Sequence, residues 1–197
     1  MCGRYALHAN PDVVALQFKL SEAPAFRPSY NIAPTADALV IRDQKGSLAR
    51  WGLRGRFVNL RAETVLAKFA AVPRCLVPAS GFYEWQAAGR RKQPFYFTPR
   101  REPLLALAAL WERHAFTLIT TQPNAALDGV HDRMPLLVAP RDYAAWLAGD
   151  EAILEKPVSL ELARRPVGMA VNAAANDSPQ LIEPVELSRG LFDEMRD

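Results

Sequence analysis

The chain has 197 residues, half of them hydrophobic and 23% charged, the proportions of one soluble globular domain with room for a sizeable core. Its net charge is only +3 and its cysteines number two, which excludes a disulfide framework or a multi-cysteine zinc cage. No apolar run approaches a membrane span and no basic-then-apolar leader is evident, so a membrane role is not expected and a reducing cytoplasm is.

Asn10 before Pro11 and Asp12 is a helix start, and Val13–Leu20 reads as a helix. Ser21–Pro34 is proline-rich and reads as irregular. Asp37–Arg42 and Ser47–Leu53 read as strands joined through Asp43-Gln44-Lys45-Gly46. Ala62–Ala71 has helical composition and stops before Pro73. The middle is strand-rich: Arg74–Val77, Phe82–Gln86, Phe95–Thr98, Leu104–Trp111, Phe116–Thr121 and Leu136–Val138 carry aromatic and branched residues between turn signals. Leu104–Leu110 would suit a helix equally well, and Gly89 suits a hairpin tip. Arg141–Leu147 reads as a helix and Val167–Asn172 as a late strand. Strands outnumber helices without βαβ alternation. The expected class is therefore α+β, a single domain over 1–197 with about its last ten residues as a tail.

The basic residues are grouped. Arg50, Arg54, Arg56 and Arg61 fall in an acid-free stretch, with further groups at Arg90-Arg91-Lys92 and Arg100-Arg101. Such groups suit a phosphate-bearing partner and suit a solvated surface equally. Cys75, in an apolar run, reads as a buried small hydrophobe. Cys2 follows Met1 directly. It is either a tolerated small residue or, after methionine trimming, a 1,2-aminothiol. Its amine would titrate near 7.7–8.0 and its thiol near about 8.5, against about 10.4 for lysine. The amine condenses with an aldehyde to an imine, and the thiol closes a five-membered thiazolidine.

Of three histidines, His8, His114 and His131, the last lies where a polar loop enters an apolar strand. It suits acid–base work near neutral pH, or a plain surface loop. Glu84, between Tyr83 and Trp85, is either outward-facing or a desolvated acid with a shifted pKa. Asn59 and Arg61 share a face if that stretch is extended. No P-loop, GxGxxG or metal-ligand cluster is present, so no cofactor or metal is expected.

In order along nearly the whole chain stand Met1-Cys2-Gly3-Arg4-Tyr5, Tyr30-Asn31-Ile32-Ala33-Pro34-Thr35, Arg50-Trp51-Gly52-Leu53 and Asn59-Leu60-Arg61-Ala62-Glu63-Thr64. Arg74 to Trp85, Ile119-Thr120-Thr121, His131-Asp132-Arg133-Met134-Pro135, Val171-Asn172 and Leu181-Ile182-Glu183-Pro184-Val185 follow. Together they resemble the SRAP (SOS response-associated peptidase) family, whose members sense abasic sites in DNA. The resemblance implies a strand-rich, curved, open barrel-like core with flanking helices. It also implies a covalent thiazolidine crosslink to an abasic site in single-stranded DNA, formed by Cys2 after loss of Met1.

The family's remaining catalytic positions fall on Asn59, Glu84 and His131, its phosphate-contacting arginines on Arg4, Arg61 and Arg133, and residues lining its DNA path on Pro34 and Thr120. Met1 removal by self-processing, lyase side activity, a cytoplasmic or nucleoid location and a monomer are further expectations. The alternatives are a cysteine peptidase using the Cys2 thiol with His131, and a noncatalytic single-stranded DNA binder. Two departures stand out. Only Leu53-Arg54-Gly55-Arg56-Phe57-Val58 separates Gly52 from Asn59, where the family has a longer, often tryptophan-bearing loop, so either the base-stacking wedge is missing here or Phe57 replaces it. Leu60 replaces a usual alanine, and strand alternation would point it away from Asn59 and Arg61.

Overall fold

The structure, a computed structural model, describes residues 2–89 and 91–187. Met1, Arg90 and the expected tail lie outside the described residues. Twelve strands and four short α-helices are formed among the described residues. In chain order they are β1 (Tyr5–Leu7), α1 (Pro11–Phe18), β2 (Ser29–Ile32), β3 (Asp37–Arg42), β4 (Lys45–Trp51), β5 (Asn59–Arg61), α2 (Ala62–Lys68) and β6 (Arg74–Ala79). There follow β7 (Gly81–Ala88), β8 (Arg91–Pro99), β9 (Leu105–Glu112), β10 (Ala115–Thr121), β11 (Met134–Pro135), α3 (Tyr143–Leu147), α4 (Ala152–Glu155) and β12 (Leu162–Pro166). The α+β, strand-rich class is as expected.

The strands form two sheets. One runs β12-β8-β7-β1-β2. In the other, β10-β4-β3-β6-β9 closes on itself because β9 also pairs with β10, while β5 and β11 attach to the far half of β10. This closed ring is the barrel-like core. β9 is apolar on both faces and wholly buried through Leu110, the pattern of a strand inside a covered sheet, which removes the helical reading of Leu104–Leu110.

Alternation in the first sheet separates two cores. Tyr5, Leu7, Phe82, Phe95 and Phe97 face the barrel and join its apolar cluster. Ala6, Tyr83 and Tyr96 face the other way, where Val167, Val171 and Leu181 cover them. Glu84, two residues after Phe82, therefore belongs to the barrel side. The chain approaches closely where β7 begins. A Cβ on Gly81 would meet the Phe97 carbonyl oxygen and the Tyr96 ring. Gly81→Ala should cost about 2–3 kcal/mol, read as a thermal midpoint about 5–10 °C lower; an unchanged midpoint would refute this close approach.

Four expectations need correction. Residues 29–32 are not irregular but form β2, a four-residue strand hidden between Pro28 and Pro34 and held by pairing with β1. Leu136–Val138 is not a ladder strand. Its backbone bonds singly to Ile119 and to Ala108 and Ala106, and the strand nearby is only Met134–Pro135. The late strand is Leu162–Pro166, paired with β8, while Met169–Asn172 is a 3-10 turn. The expected helix at Arg141 begins as a 3-10 turn, Pro140–Asp142, and becomes α-helical only over Tyr143–Leu147.

Candidate active site

The β1–β7 ladder pairs Tyr5 with Phe82, and the Tyr83 amide donates to the Arg4 carbonyl at 3.0 Å. Continued antiparallel, that register carries Cys2 and Gly3 alongside Glu84. Cys2 has no exposed surface. Its thiol lies 3.8 Å from the Arg4 carbonyl oxygen, and its own carbonyl accepts a 2.6 Å hydrogen bond from Asn59 Nδ2. Asn59 stands at the start of β5, fixed by parallel pairing to Leu118 of β10. Elements far apart in sequence thus meet at the second residue of the chain.

Glu84 is 1% exposed, and its Oε2 lies 4.0 Å from His131 Nε2. Burial raises its pKa to about 7, with Asp132 adding to the rise, against the pull of the chain's N-terminal charge, the Trp85 backbone amide and Lys92. Burial, reinforced by the Glu84 charge, pushes the Cys2 thiol well above its ordinary range, so it stays protonated at neutral pH. Among the described residues neither Glu84 Oε1 nor Asn59 Oδ1, both buried, has a hydrogen-bond partner.

The Arg133 backbone amide donates to His131 Nδ1 at 3.0 Å. The exposed Asp132 carboxylate also lies 3.0 Å from that nitrogen. The Arg133 carbonyl lies 3.2 Å from the same nitrogen, so Nδ1 meets one donor and two acceptors and the neutral ring is served with its proton on either nitrogen, Nε2 being the one that faces Glu84. Burial lowers the His131 pKa below its ordinary value, which keeps that neutral form at pH 7.

A cleft of about 400 Å³ opens over this group, lined by Arg4, Glu84, Trp85, Lys92, His131 and Asn172. The expected site residues divide around it. Arg4, Glu84 and His131 line the cleft, and Cys2 and Asn59 adjoin it. Arg61 is exposed one strand position pair beyond Asn59, with Leu60 buried between them, as alternation required. Pro34 is half-buried just beyond β2. Thr120 is fully buried and its hydroxyl donates to the Leu60 carbonyl. Arg133 is also buried; it makes a two-pronged bond to Glu63 at 3.1 and 3.2 Å and donates to the Thr120 carbonyl at 2.6 Å. In this state Arg133 and Thr120 brace the His131 loop against β10.

Phe57 does not stand out as a wedge. The six-residue turn is closed by bridging of Leu53 to Phe57, and the Phe57 ring packs edge-on against Phe69 at 5.4 Å. The basic groups are partly paired: Arg50 with Asp37, Arg54 with Glu112, and Arg101 with Glu161. Cys75 is buried, as expected. Among the described residues no group of three possible metal ligands occurs and no helix is long and apolar enough to cross a membrane.

Sequence reasoning missed Trp85, Lys92 and Asn172 as cleft residues. Lys92 carried a signal in its basic cluster and Trp85 in its place beside Glu84. Asn172 carried only its place in the Val171-Asn172 motif, in a segment that read as a strand.

The chain is 30% identical to the abasic site processing protein YoqW of Bacillus subtilis, over 93% of this chain and 99% of that one. It is 26% identical to the abasic site processing protein YedK of Escherichia coli, over 94% and 100%, and 27% identical to the abasic site processing protein HMCES of Gallus gallus, over 82% and 68%. A crystal structure of a protein from Bacteroides thetaiotaomicron shares the fold with a TM-score of 0.82 at 20% identity, covering 94% of this chain and 100% of that one. The family model described as SOS response associated peptidase (SRAP) matches residues 1–174, and with that match spanning most of the described chain, this protein belongs to the SRAP family.

Proposed function

We propose that this chain captures abasic sites in single-stranded DNA as a covalent thiazolidine on Cys2, once Met1 has been removed. Relatives named as abasic site processing proteins support the lesion. The observation that carries the chemistry is the pair of unpartnered buried acceptors, Glu84 Oε1 and Asn59 Oδ1, beside a Cys2 whose carbonyl Asn59 already holds. Loss of Met1 moves the α-amine onto Cys2. An ammonium there would supply the donors both oxygens lack.

The steps follow from the groups present. Glu84, poised near neutrality, takes a proton from the Cys2 ammonium. That proton passes to His131, which gives its Nε2 proton to the ring oxygen of the abasic sugar while the anomeric hydroxyl loses its own to Glu84, so the sugar opens to the aldehyde and the imidazole ends neutral. The free amine attacks the carbonyl carbon, and departure of one water leaves an imine. The Cys2 sulfur then adds to the imine carbon while its proton passes through Glu84 to the nitrogen. One C–N and one C–S bond form, one water leaves, and no oxidant is needed. Burial of Cys2 lets the product ring sit out of water. The missing base lets the sugar enter without the cost of unstacking one. Arginines attract the backbone without regard to sequence.

A peptidase needs a thiolate held beside a cation. Here the Cys2 thiol is desolvated, and the Glu84 carboxylate acts on it more strongly than the chain's N-terminal cation does, which weighs against that role in trans. Hydrolysis then concerns Met1 alone, and slow elimination from the imine is the expected lyase side reaction.

The test is incubation with two labelled single strands, one abasic and one intact, followed by denaturing electrophoresis. A denaturation-resistant adduct should appear with the abasic strand only. Equal binding of both strands with no adduct would leave only a nucleic-acid binder.

A further inference from the structure

The 3-10 turn Met169–Asn172 and the residues after it lie against β2, where Asn31 is 5% exposed. Asn31 Nδ2 donates to the carbonyls of Asn176 at 2.7 Å, Ala173 at 3.0 Å and Val171 at 3.3 Å. Next to it, the Tyr30 amide donates to Asp177 at 2.6 Å. One short stretch of β2 therefore fastens the whole 171–177 segment. The other end of the same amide, Asn31 Oδ1, accepts from Arg4 Nη1 at 2.9 Å.

Arg4 is tied down further. Nη1 also donates to the Val171 carbonyl at 2.8 Å, Nη2 to the Asn172 carbonyl at 3.4 Å, and Nε to the Gly3 carbonyl at 3.2 Å. Asn172 in turn accepts from Trp85 Nε1 at 2.7 Å on the cleft wall. The chemistry of these partners is informative. Arg50, Arg54, Arg101 and Arg133 each meet a carboxylate. Arg4's hydrogen-bond partners among the described residues are all uncharged oxygens. Its guanidinium is held in place at the cleft with its charge left over. An amide at position 31 accepts from Arg4 and fastens the segment; a carboxylate there would neutralise Arg4 and repel three carbonyls.

We propose that Asn31 is the positioning residue for anion recognition in this cleft: it fixes Arg4, un-neutralised, as the ligand of one backbone phosphate of the bound strand. The proposal rests on the single-stranded DNA reading above. It assigns Asn31 no contact with DNA and no part in the bond-making steps.

The test is noncovalent binding of an undamaged single-stranded oligonucleotide, followed by fluorescence anisotropy across a salt series, so that crosslinking does not enter. Asn31→Asp should fold, lose about tenfold in affinity at low salt, and give a log-affinity slope shallower by about 0.7, the loss of one phosphate contact. Asn31→Ala should shift slope and affinity the same way, more weakly, by loosening Arg4. Arg4→Ala should match Asn31→Asp, and combining the two should lose no more than Arg4→Ala alone, because both remove one contact. A merely structural role would lower thermal stability but leave the salt slope alone. Unchanged affinity and slope in Asn31→Asp, or additive losses in the double variant, overturn the proposal while wild type still binds with normal salt dependence. A wild type indifferent to salt overturns the nucleic-acid reading and this inference with it.

Discussion

Cys2→Ser should abolish the stable adduct while leaving the imine trappable. The variant keeps the α-amine, Asn59 and Glu84, so it still condenses with the aldehyde. A serine hydroxyl adding to that imine gives a far more labile ring than sulfur does, so nothing should survive denaturation. Borohydride added during incubation should restore a covalent product by reducing the imine to an amine. The expected pattern is complete loss without reductant and recovery with it, read on a denaturing gel. An N-terminal extension that buries the amine in a peptide bond should lose both products. Because Cys2 is wholly buried, the hydroxyl should also cost about 1–2 kcal/mol of stability, seen as a modest fall in the thermal midpoint. A denaturation-resistant adduct in Cys2→Ser without reductant would exclude the thiazolidine.

Glu84→Gln should trade activity for stability. Burial raises the folded-state pKa of Glu84 from 4.5 to about 7. Below about pH 4.5 the group is neutral folded and unfolded, and burial carries no charge penalty. As pH rises from 4.5 through about 7, the unfolded chain ionises first, so stability is lost, and the loss is complete above the folded pKa. Glutamine never ionises. The variant should therefore match wild type near pH 4.5 and exceed it by about 1–3 kcal/mol at pH 8, a midpoint difference of several degrees. Crosslinking at pH 7 should slow by about 10²-fold for want of the base, and the acid limb of the wild-type pH–rate profile near 7 should vanish. Lower stability than wild type at pH 8 would contradict the desolvated-carboxylate account. The cost Glu84 imposes on the fold is of the kind sites tolerate for function.

The local chemistry of this site was legible where short-range rules suffice. Alternation alone set Asn59 and Arg61 on one face with Leu60 opposite, and the structure agrees. Alternation does not say which face of the sheet is inside; the packing of Phe82 and Phe97 against the barrel decides it for Glu84. That is a tertiary fact, decided by the closure of β10 against β9, to which no local pattern points. The same limit hid Asn172. Its value to the cleft comes from the Trp85 indole across the chain, and a segment read as a strand predicted no such turn. Phe57 is open in the sequence for a related reason: an aromatic in a short loop suits a wedge or a plug, and Phe69, just after α2, decides for the plug. Arg133 stands as a phosphate contact through the resemblance alone, and its carboxylate partner, Glu63, lies seventy residues away, beyond the reach of any local rule.

The central claim is that a free Cys2 amine and thiol together bond an abasic sugar. Intact-mass analysis before and after incubation with an abasic oligonucleotide reads both conditions at once. The protein should first weigh one methionine residue less than the encoded chain. It should then gain the mass of the oligonucleotide less one water, with the modified residue mapped to Cys2. A chain that has lost Met1 and yet shows no such gain, or carries the adduct at any other residue, would contradict it.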